Sequence, residues 1–348
     1  MNLNTEPKII SMANALDLNV DRPVEAIMEY CRARVAKFLR RVGRIANVIE
    51  LQRVVCALLN LTVHEIWSDE YITRFACQYQ SENEIAACAF IKTQLRPDTF
   101  GMLVQLERRT AKGERRFVAF IDCRGDKHLR RVFTLWHEIA HCLTAKDQLA
   151  LPLRRTTAEM IEKDPVERLT DIVAGEFAFY EPLFRPILNA EFGQTGRLTF
   201  RVVERVRARF NPDASFLSTL NACVAKSPSP IILIEAGLTL RRSEQRLIDS
   251  GAASPGDFAP SLRVLRCAPN EAARSTLPHV PKQWRVPSQS IIARIHASDV
   301  ETIFEGSAAD ENLSMWTTSA GGGLPNVEVA VEARKYGDKV VALIAIAA

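Results

Sequence analysis

A mostly apolar segment, VFTLWHEIAHCLT, places the strongest constraint on how this chain can fold. Between Val132 and Leu143 the only charged residue is Glu138, which stands between His137 and His141. Charged side chains are rare inside proteins because removing them from water is costly. The segment is therefore expected to form a helix inside a core, with polar groups that other parts of the chain must satisfy.

The two histidines are spaced to share one metal ion. Residues four apart on a helix lie about 40° apart on one face. Imidazole is a good ligand for zinc, and a catalytic zinc takes three protein ligands and leaves a fourth position for water. Glu138 lies about 100° around the helix, so it can act as a base on that water. The H-E-x-x-H pattern predicts this site; the alternative is an amphipathic helix whose histidines only satisfy hydrogen bonds in the core.

A third ligand has to come from elsewhere, and Glu167 in DPVERLTDIVAGEFAF is the first choice. Asp164 and Glu167 also match a capping box, in which Glu167 would serve only the start of its helix. The residues alone leave both roles open. Four other acids compete for the position: Asp171, Glu162, Glu176 and Asp147. Asp171 lies one turn beyond Glu167, so it could instead orient a ligand.

The chain is expected to have an α+β fold with two domains. Apolar residues recur at helical spacing from about residue 21 to 59, and a helical hairpin is predicted over about 198–225 with its break at Asn211-Pro212. The runs AACAFIKTQL, GMLVQLERR and RRFVAFIDC predict a small antiparallel sheet, followed by the helix from about Asp126 to Thr144. Beyond Pro230 strands dominate, with IILIE, LRVLRC, SIIARIHA, VEVAVEA and KVVALIAIA as candidates. The predicted domains are 1–225, with a core at about 25–185, and 226–348.

Composition excludes several classes of protein. The longest apolar run is much shorter than the roughly 20 residues that cross a bilayer, and the N-terminus has no apolar signal core. The 8 cysteines of the 348-residue chain form no C-x-x-C pair, and the formal net charge is only +4. A cytoplasmic protein without a membrane partner is therefore expected, and its charge does not indicate a nucleic-acid partner.

The strand RFVAFID, the run RRVFTLWHEIAH and the later E-x-x-x-D-x-V-A together resemble the ImmA/IrrE-type zinc metallopeptidases, over about residues 25–225. The resemblance implies that His137, His141 and Glu167 bind the metal, zinc or manganese, and that Glu138 is catalytic. Two departures bear on substrate preference. Asp171 stands where the family has asparagine, and Phe179-Tyr180-Glu181-Pro182 replaces the usual L-L-M-P.

The resemblance also implies a biological role. Members of this family cleave repressor-type regulatory proteins that bind DNA, so the expected partner is a helix-turn-helix repressor that is cut at a limited number of sites. The strand-rich part, 226–348, is then a candidate sensory domain like the GAF-like domain of some members.

Tyr180 and Arg131 are candidates for stabilising the oxyanion. Sequence indicates neither the oligomeric state nor the signal.

The rival hypothesis is a non-enzymatic regulator with a structural metal site. Its DNA contacts would come from arginines on the predicted hairpin: Arg201, Arg205, Arg207 and Arg209. The same hairpin carries an ordinary core face of valines and Phe210, so DNA contact is not expected. A structural zinc has four protein ligands and no open position, so the number of ligands distinguishes the two hypotheses.

Overall fold

The computed structural model describes residues 2–144, 164–298, 307–317 and 322–346, together with the backbone of Leu153–Arg155. These residues form an α+β fold, as predicted. The helices are α1 (Pro7–Ala15), α2 (Pro23–Val42), α3 (Val48–Leu58), α4 (Asp69–Ser81), α5 (Ile85–Gln94), α6 (Arg131–Thr144), α7 (Pro165–Ala178), α8 (Glu181–Gly193), α9 (Phe200–Phe210), α10 (Phe216–Lys226), α11 (Arg242–Asp249), α12 (Glu271–Thr276) and α13 (Ile291–Ala297).

The strands belong to two separate sheets. They are β1 (Leu61–Ile66), β2 (Gly101–Gln105), β3 (Phe117–Asp122), β4 (Leu153–Arg155), β5 (Ile231–Thr239), β6 (Ser261–Pro269), β7 (Ser307–Asn312), β8 (Glu328–Tyr336) and β9 (Lys339–Ile346). The first sheet has the order β1-β3-β2-β4 and the second the order β6-β5-β9-β8-β7.

By contacts within the chain, the fold divides into two compact units. Unit 1 comprises Met1–Phe184 and Phe210–Ser215, and unit 2 comprises Arg185–Arg209 and Phe216–Ala348. The sequence pattern placed the boundary at 225/226. In the structure, α9 and α10 instead pack within unit 2, together with the second sheet.

The sheet of unit 1 is mixed. Strands β1 and β3 run parallel, whereas β2 is antiparallel to both β3 and β4. All residues of β3 are buried, because α4 and α5 cover one face of the sheet and α6 packs against β2 and β3. Side chains alternate between the two faces of a strand, so a strand covered on both sides reads as a continuous apolar run.

Two predicted strands are wrong. The run AACAFIKTQL lies in α5 and SIIARIHA lies in α13, so the first sheet is not a three-stranded antiparallel meander. The helix that carries the histidines begins at Arg131, after a 3-10 helix at Gly125–Arg130, and not near Asp126. The two helices of the predicted hairpin are present as α9 and α10, with Asn211-Pro212 between them.

Unit 2 is built on an antiparallel sheet in which β9 is the central strand and β5 and β8 flank it. One face carries an apolar core that includes Ile232, Ile234, Val331 and Ile344, and α12 and α13 contribute to the same core. Helix α10 packs against β5. Among the described residues, no helix combines the length and apolar character needed to cross a membrane.

Candidate metal centre

Helix α6 lies in the core of unit 1. Every residue from Trp136 to Thr144 is buried, and the helix packs against α2, α3, α7 and two strands of the first sheet. This surrounds His137, Glu138 and His141 with protein, as the near absence of charge in the segment predicted. Their polar groups therefore have to find partners on neighbouring elements.

Glu167 on α7 supplies a third donor beside the two histidines. Its Oε2 lies 2.9 Å from His137 Nε2, and its Oε1 lies 3.4 Å from His141 Nε2. The two Nε2 atoms are 3.1 Å apart. Donor atoms about 2.1 Å from one ion at tetrahedral angles would lie about 3.4 Å from each other, so the observed spacings fit a shared ion. His137, His141 and Glu167 could thus hold a metal ion, with ligand atoms all within 4.8 Å of one another.

The start of α7 shows how Glu167 is released from a capping role. Asp164 caps the helix, with its Oδ1 accepting a hydrogen bond from the backbone N–H of Val166. The carboxylate of Glu167 instead faces the histidines of α6, the helix against which α7 packs. One turn of helix therefore contains separate residues for the cap and for the candidate ligand.

Asp171 contacts the opposite edge of the His137 ring. Its Oδ1 lies 2.8 Å from Nδ1, so the ring can donate Nδ1–H to the carboxylate and direct the lone pair of Nε2 at the shared point. Of the other competitors, Glu176 pairs with Arg32 at 3.0 Å and is not part of this group. Asp147 and Glu162 lie outside the described residues.

The electrostatics of the donors suit a cation. Burial by itself would raise the pKa of Glu167, but hydrogen bonding with His137 and His141 outweighs burial and holds the pKa well below its usual value. Burial lowers the pKa of His141, although Glu167 opposes this effect. An ionised carboxylate and a neutral imidazole are the forms that bind metals.

Glu138 lies beside the first residue of β2. The side chain of Glu138 is completely buried, and a Cβ added to Gly101 would lie 2.7 Å from its Oε1 and 2.5 Å from Thr134 Cγ2. Only glycine allows the strand to approach the carboxylate this closely. Gly101 was not among the predicted site residues; a glycine inside a strand pattern is the signal that could have found it, since it often marks a close approach.

Charged side chains hold the segment that precedes α6 and the C-terminal end of α6. At the entrance, the buried Asp122 binds Arg124 and Lys127, at 2.7 and 2.6 Å. Burial acts to raise the pKa of Asp122, but these hydrogen bonds hold it below its usual value. At the exit, Arg34 of α2 donates to the carbonyl oxygens of Cys142 and Leu143, at 3.3 and 2.8 Å. Charged groups therefore anchor the 3-10 helix that precedes α6 and the C-terminal end of α6.

Arg131 and Tyr180, the two candidates for stabilising the oxyanion, contact other side chains. Arg131 pairs with Asp213 at 2.6 Å, and the ring of Tyr180 stacks against Phe177. Neither contact assigns the side chain to the reaction.

The hairpin arginines are largely engaged. Glu191, itself buried, binds Arg205 and Arg209, each at 2.6 Å, and Arg207 pairs with Glu204. Within α10, Ala225 is the only exposed residue, because the helix packs in unit 2. A recognition helix that enters the major groove needs an exposed face, which α10 does not present.

No protein-family model matches this chain, and no curated protein matches it.

Proposed function

We propose that this protein is a zinc metalloendopeptidase that cleaves a protein substrate at a limited number of sites. The observation that supports this best is the convergence of His137, His141 and Glu167 on one point, with Glu138 on the same helix as the histidines. Two imidazoles and one carboxylate are a donor set that suits zinc, and manganese is the alternative metal.

The roles of the residues follow from their positions. His137, His141 and Glu167 would hold the metal, and Asp171 would fix the ring of His137. A catalytic zinc in such a site supplies Lewis acidity, which makes water more acidic and polarises a carbonyl group. Glu138 would accept the proton of the attacking water and later deliver a proton to the leaving amine. The burial of its carboxylate keeps this proton away from bulk solvent.

The number of ligands supports an enzyme over a purely structural metal site. Structural zinc sites usually have four protein ligands, whereas catalytic sites have three and bind water at the fourth position. In residues 2–144, 164–298, 307–317 and 322–346, the group of potential ligands contains three residues. The engaged arginines of α9, and α10 with its single exposed residue, weigh against the rival hypothesis of a DNA-binding regulator.

The nature of the substrate rests on the resemblance to ImmA/IrrE-type metallopeptidases. We propose a repressor-type regulatory protein with a helix-turn-helix domain as the substrate. An extended substrate would bind by adding a strand to an edge of the first sheet, whose edge strands are β1 and β4.

Glu138→Gln separates metal binding from catalysis. Glutamine keeps the size of the side chain but cannot accept the proton, so the variant should hold about one zinc per chain, like wild type, while cleavage falls by about 10² to 10⁴. Metal content is measured by mass spectrometry, and cleavage is followed as fragments of repressor proteins encoded near this gene. His137→Ala and His141→Ala are the controls that should remove the metal.

The outcomes distinguish the hypotheses. Cleavage by Glu138→Gln at the wild-type rate would contradict the role of Glu138. Zinc content unchanged in both histidine variants would contradict the site itself. A biological response that survives Glu138→Gln would favour the non-enzymatic regulator.

A further inference from the structure

Unit 2 contains a cavity that the proposed peptidase chemistry does not use. It encloses about 430 Å³ between the loop before α9 and the face of the second sheet that is opposite its apolar core. Its wall is formed by residues 196–199 and Arg201, and its floor by residues of β5, β7, β8 and β9. Gly196 has a φ of +70°, a left-handed conformation that favours glycine, and it turns the chain into the wall.

The register of the sheet explains why space is left above the floor of the cavity. Ala345 of β9 pairs with Ala330 of β8 and with Ile231 of β5, so the three residues lie in one row across the sheet. In the neighbouring row, Glu332 pairs with Ala308 of β7 and with Leu343. Paired residues point to the same face. Three alanines in these two rows leave a flat, shallow surface where larger side chains would fill the space.

Two arginines lie at the rim of the cavity. Arg197 and Arg201 are both exposed there, and the acid in the lining is Glu332. The Oε2 of Glu332 accepts a hydrogen bond of 3.1 Å from the backbone N–H of Phe200, which holds this carboxylate at the start of α9. Arg197 makes no ion pair with an acid in the part of the chain that the structure describes. A negative group beside Arg197 would therefore meet a favourable potential.

We propose that this cavity binds a small organic anion with a flat apolar body, of the aromatic carboxylate class. The apolar body would lie on the methyl groups of Ala308, Ala330 and Ala345, and the carboxylate would face Arg197. A volume of 430 Å³ lies in the range of small-molecule sites, which combine apolar walls with a few polar groups that orient the ligand. Arginine is well suited to a carboxylate because it offers paired donors in one plane. This inference does not depend on the proposed peptidase activity.

The test uses the full-length protein and naphthalene-2-carboxylate as the probe, with binding followed by isothermal titration calorimetry. We expect one saturable site per chain. The neutral analogue 2-naphthalenemethanol should bind at least about tenfold more weakly, because it lacks the charge that faces Arg197. Inorganic phosphate, which lacks the apolar body, should bind more weakly than the probe. Equal affinity for the probe and the neutral alcohol, or for the probe and phosphate, would overturn the proposed ligand class.

Variants locate the site. Ala345→Leu should abolish binding by filling the floor, and Ala308→Leu should weaken it at least about tenfold. Ala308 is exposed on a strand at the edge of the sheet, so this second variant should fold even if Ala345→Leu does not. Arg197→Gln should weaken binding about tenfold, whereas Arg242→Gln, which removes an exposed arginine elsewhere in unit 2, should not change it. Wild-type affinity in both Ala308→Leu and Arg197→Gln would overturn the proposal.

Discussion

His137 is contacted through both nitrogens of its ring, by Asp171 on one side and Glu167 on the other. The sequence could not assign these two acids, because they lie four residues apart on the same face of one helix and either could reach a histidine. What separates them is the position of α7 against α6, a tertiary property. His137 and His141, by contrast, lie on one helix, so their spacing alone predicts that they share a face.

Asp171→Ala is expected to weaken metal binding about 10- to 100-fold, because the ring of His137 loses the partner that fixes its orientation. Asp171→Asn should retain most of the affinity, since the amide oxygen can still accept the Nδ1–H hydrogen bond. Competition with a chelator of known zinc affinity measures both effects. Glu176→Ala, on the same helix but directed at Arg32, is the matched control. Wild-type affinity in Asp171→Ala would show that this contact does not position the ligand.

Gly101→Ala tests the close approach of β2 to Glu138. The added methyl group would lie within 2.7 Å of both Thr134 Cγ2 and Glu138 Oε1, so α6 or the strand has to move. We expect a loss of about 1–3 kcal/mol in the free energy of unfolding, and a decrease in cleavage that exceeds any decrease in bound metal. Denaturant unfolding, metal analysis and the cleavage assay measure the three quantities.

The control for this variant is Gly256→Ala, because a Cβ at Gly256 meets no atom within 4 Å. Gly101→Ala with the stability and activity of wild type would contradict the close approach that the structure describes.

At the scale of elements, the long amphipathic segments were predictable and the short apolar runs were not. Helices α2, α9 and α10 show apolar residues at helical spacing, so their periodicity indicates both the type of element and the buried face. The runs in α5 and α13 are short and mostly apolar, and such runs fit a buried strand as well as a buried helix. Their helical form is decided by what they pack on: α5 covers the first sheet and α13 the second.

Arg34 should stabilise the end of α6. The last carbonyl groups of a helix have no partner within the helix, and the guanidinium of Arg34 serves two of them beside the histidines. Arg34→Met keeps much of the apolar stem but loses these hydrogen bonds, so we expect a loss of about 1–3 kcal/mol in the free energy of unfolding. Denaturant unfolding of the metal-loaded protein measures it.

Arg32→Met provides the comparison for Arg34. Arg32 lies on the same helix as Arg34, and Arg32→Met removes a surface ion pair with Glu176. Its loss should lower the free energy of unfolding by no more than about 1 kcal/mol. Equal losses in the two variants would indicate that the contact with the end of α6 has no special contribution.

At the scale of the whole molecule, the chain passes between its two compact units more than once. It leaves unit 1 after Phe184, returns for Phe210–Ser215 and then continues in unit 2. The returning segment is held by Phe210, whose ring lies 5.0 Å from that of Phe184 and 5.9 Å from that of Phe179. A boundary inferred from the change from helices to strands cannot detect this arrangement, because it reads local patterns and not the partners of each helix.

The division into two compact units predicts that a fragment of residues 1–225 will not form a soluble, cooperatively folded protein. Helix α10 belongs with the second sheet: the ring of Phe216 lies 6.4 Å from that of Tyr336, and the guanidinium of Arg334 lies 4.4 Å from the centre of the Phe216 ring. Without residues 226–348, the apolar face of α10 loses these partners and becomes exposed, which favours aggregation. We therefore expect the fragment to be insoluble, or to bind a dye specific for exposed apolar surface and to melt without cooperativity. Coexpression with residues 226–348 should restore a soluble complex. A monomeric 1–225 fragment that melts cooperatively and does not bind the dye would show instead that the helical hairpin folds without the second sheet.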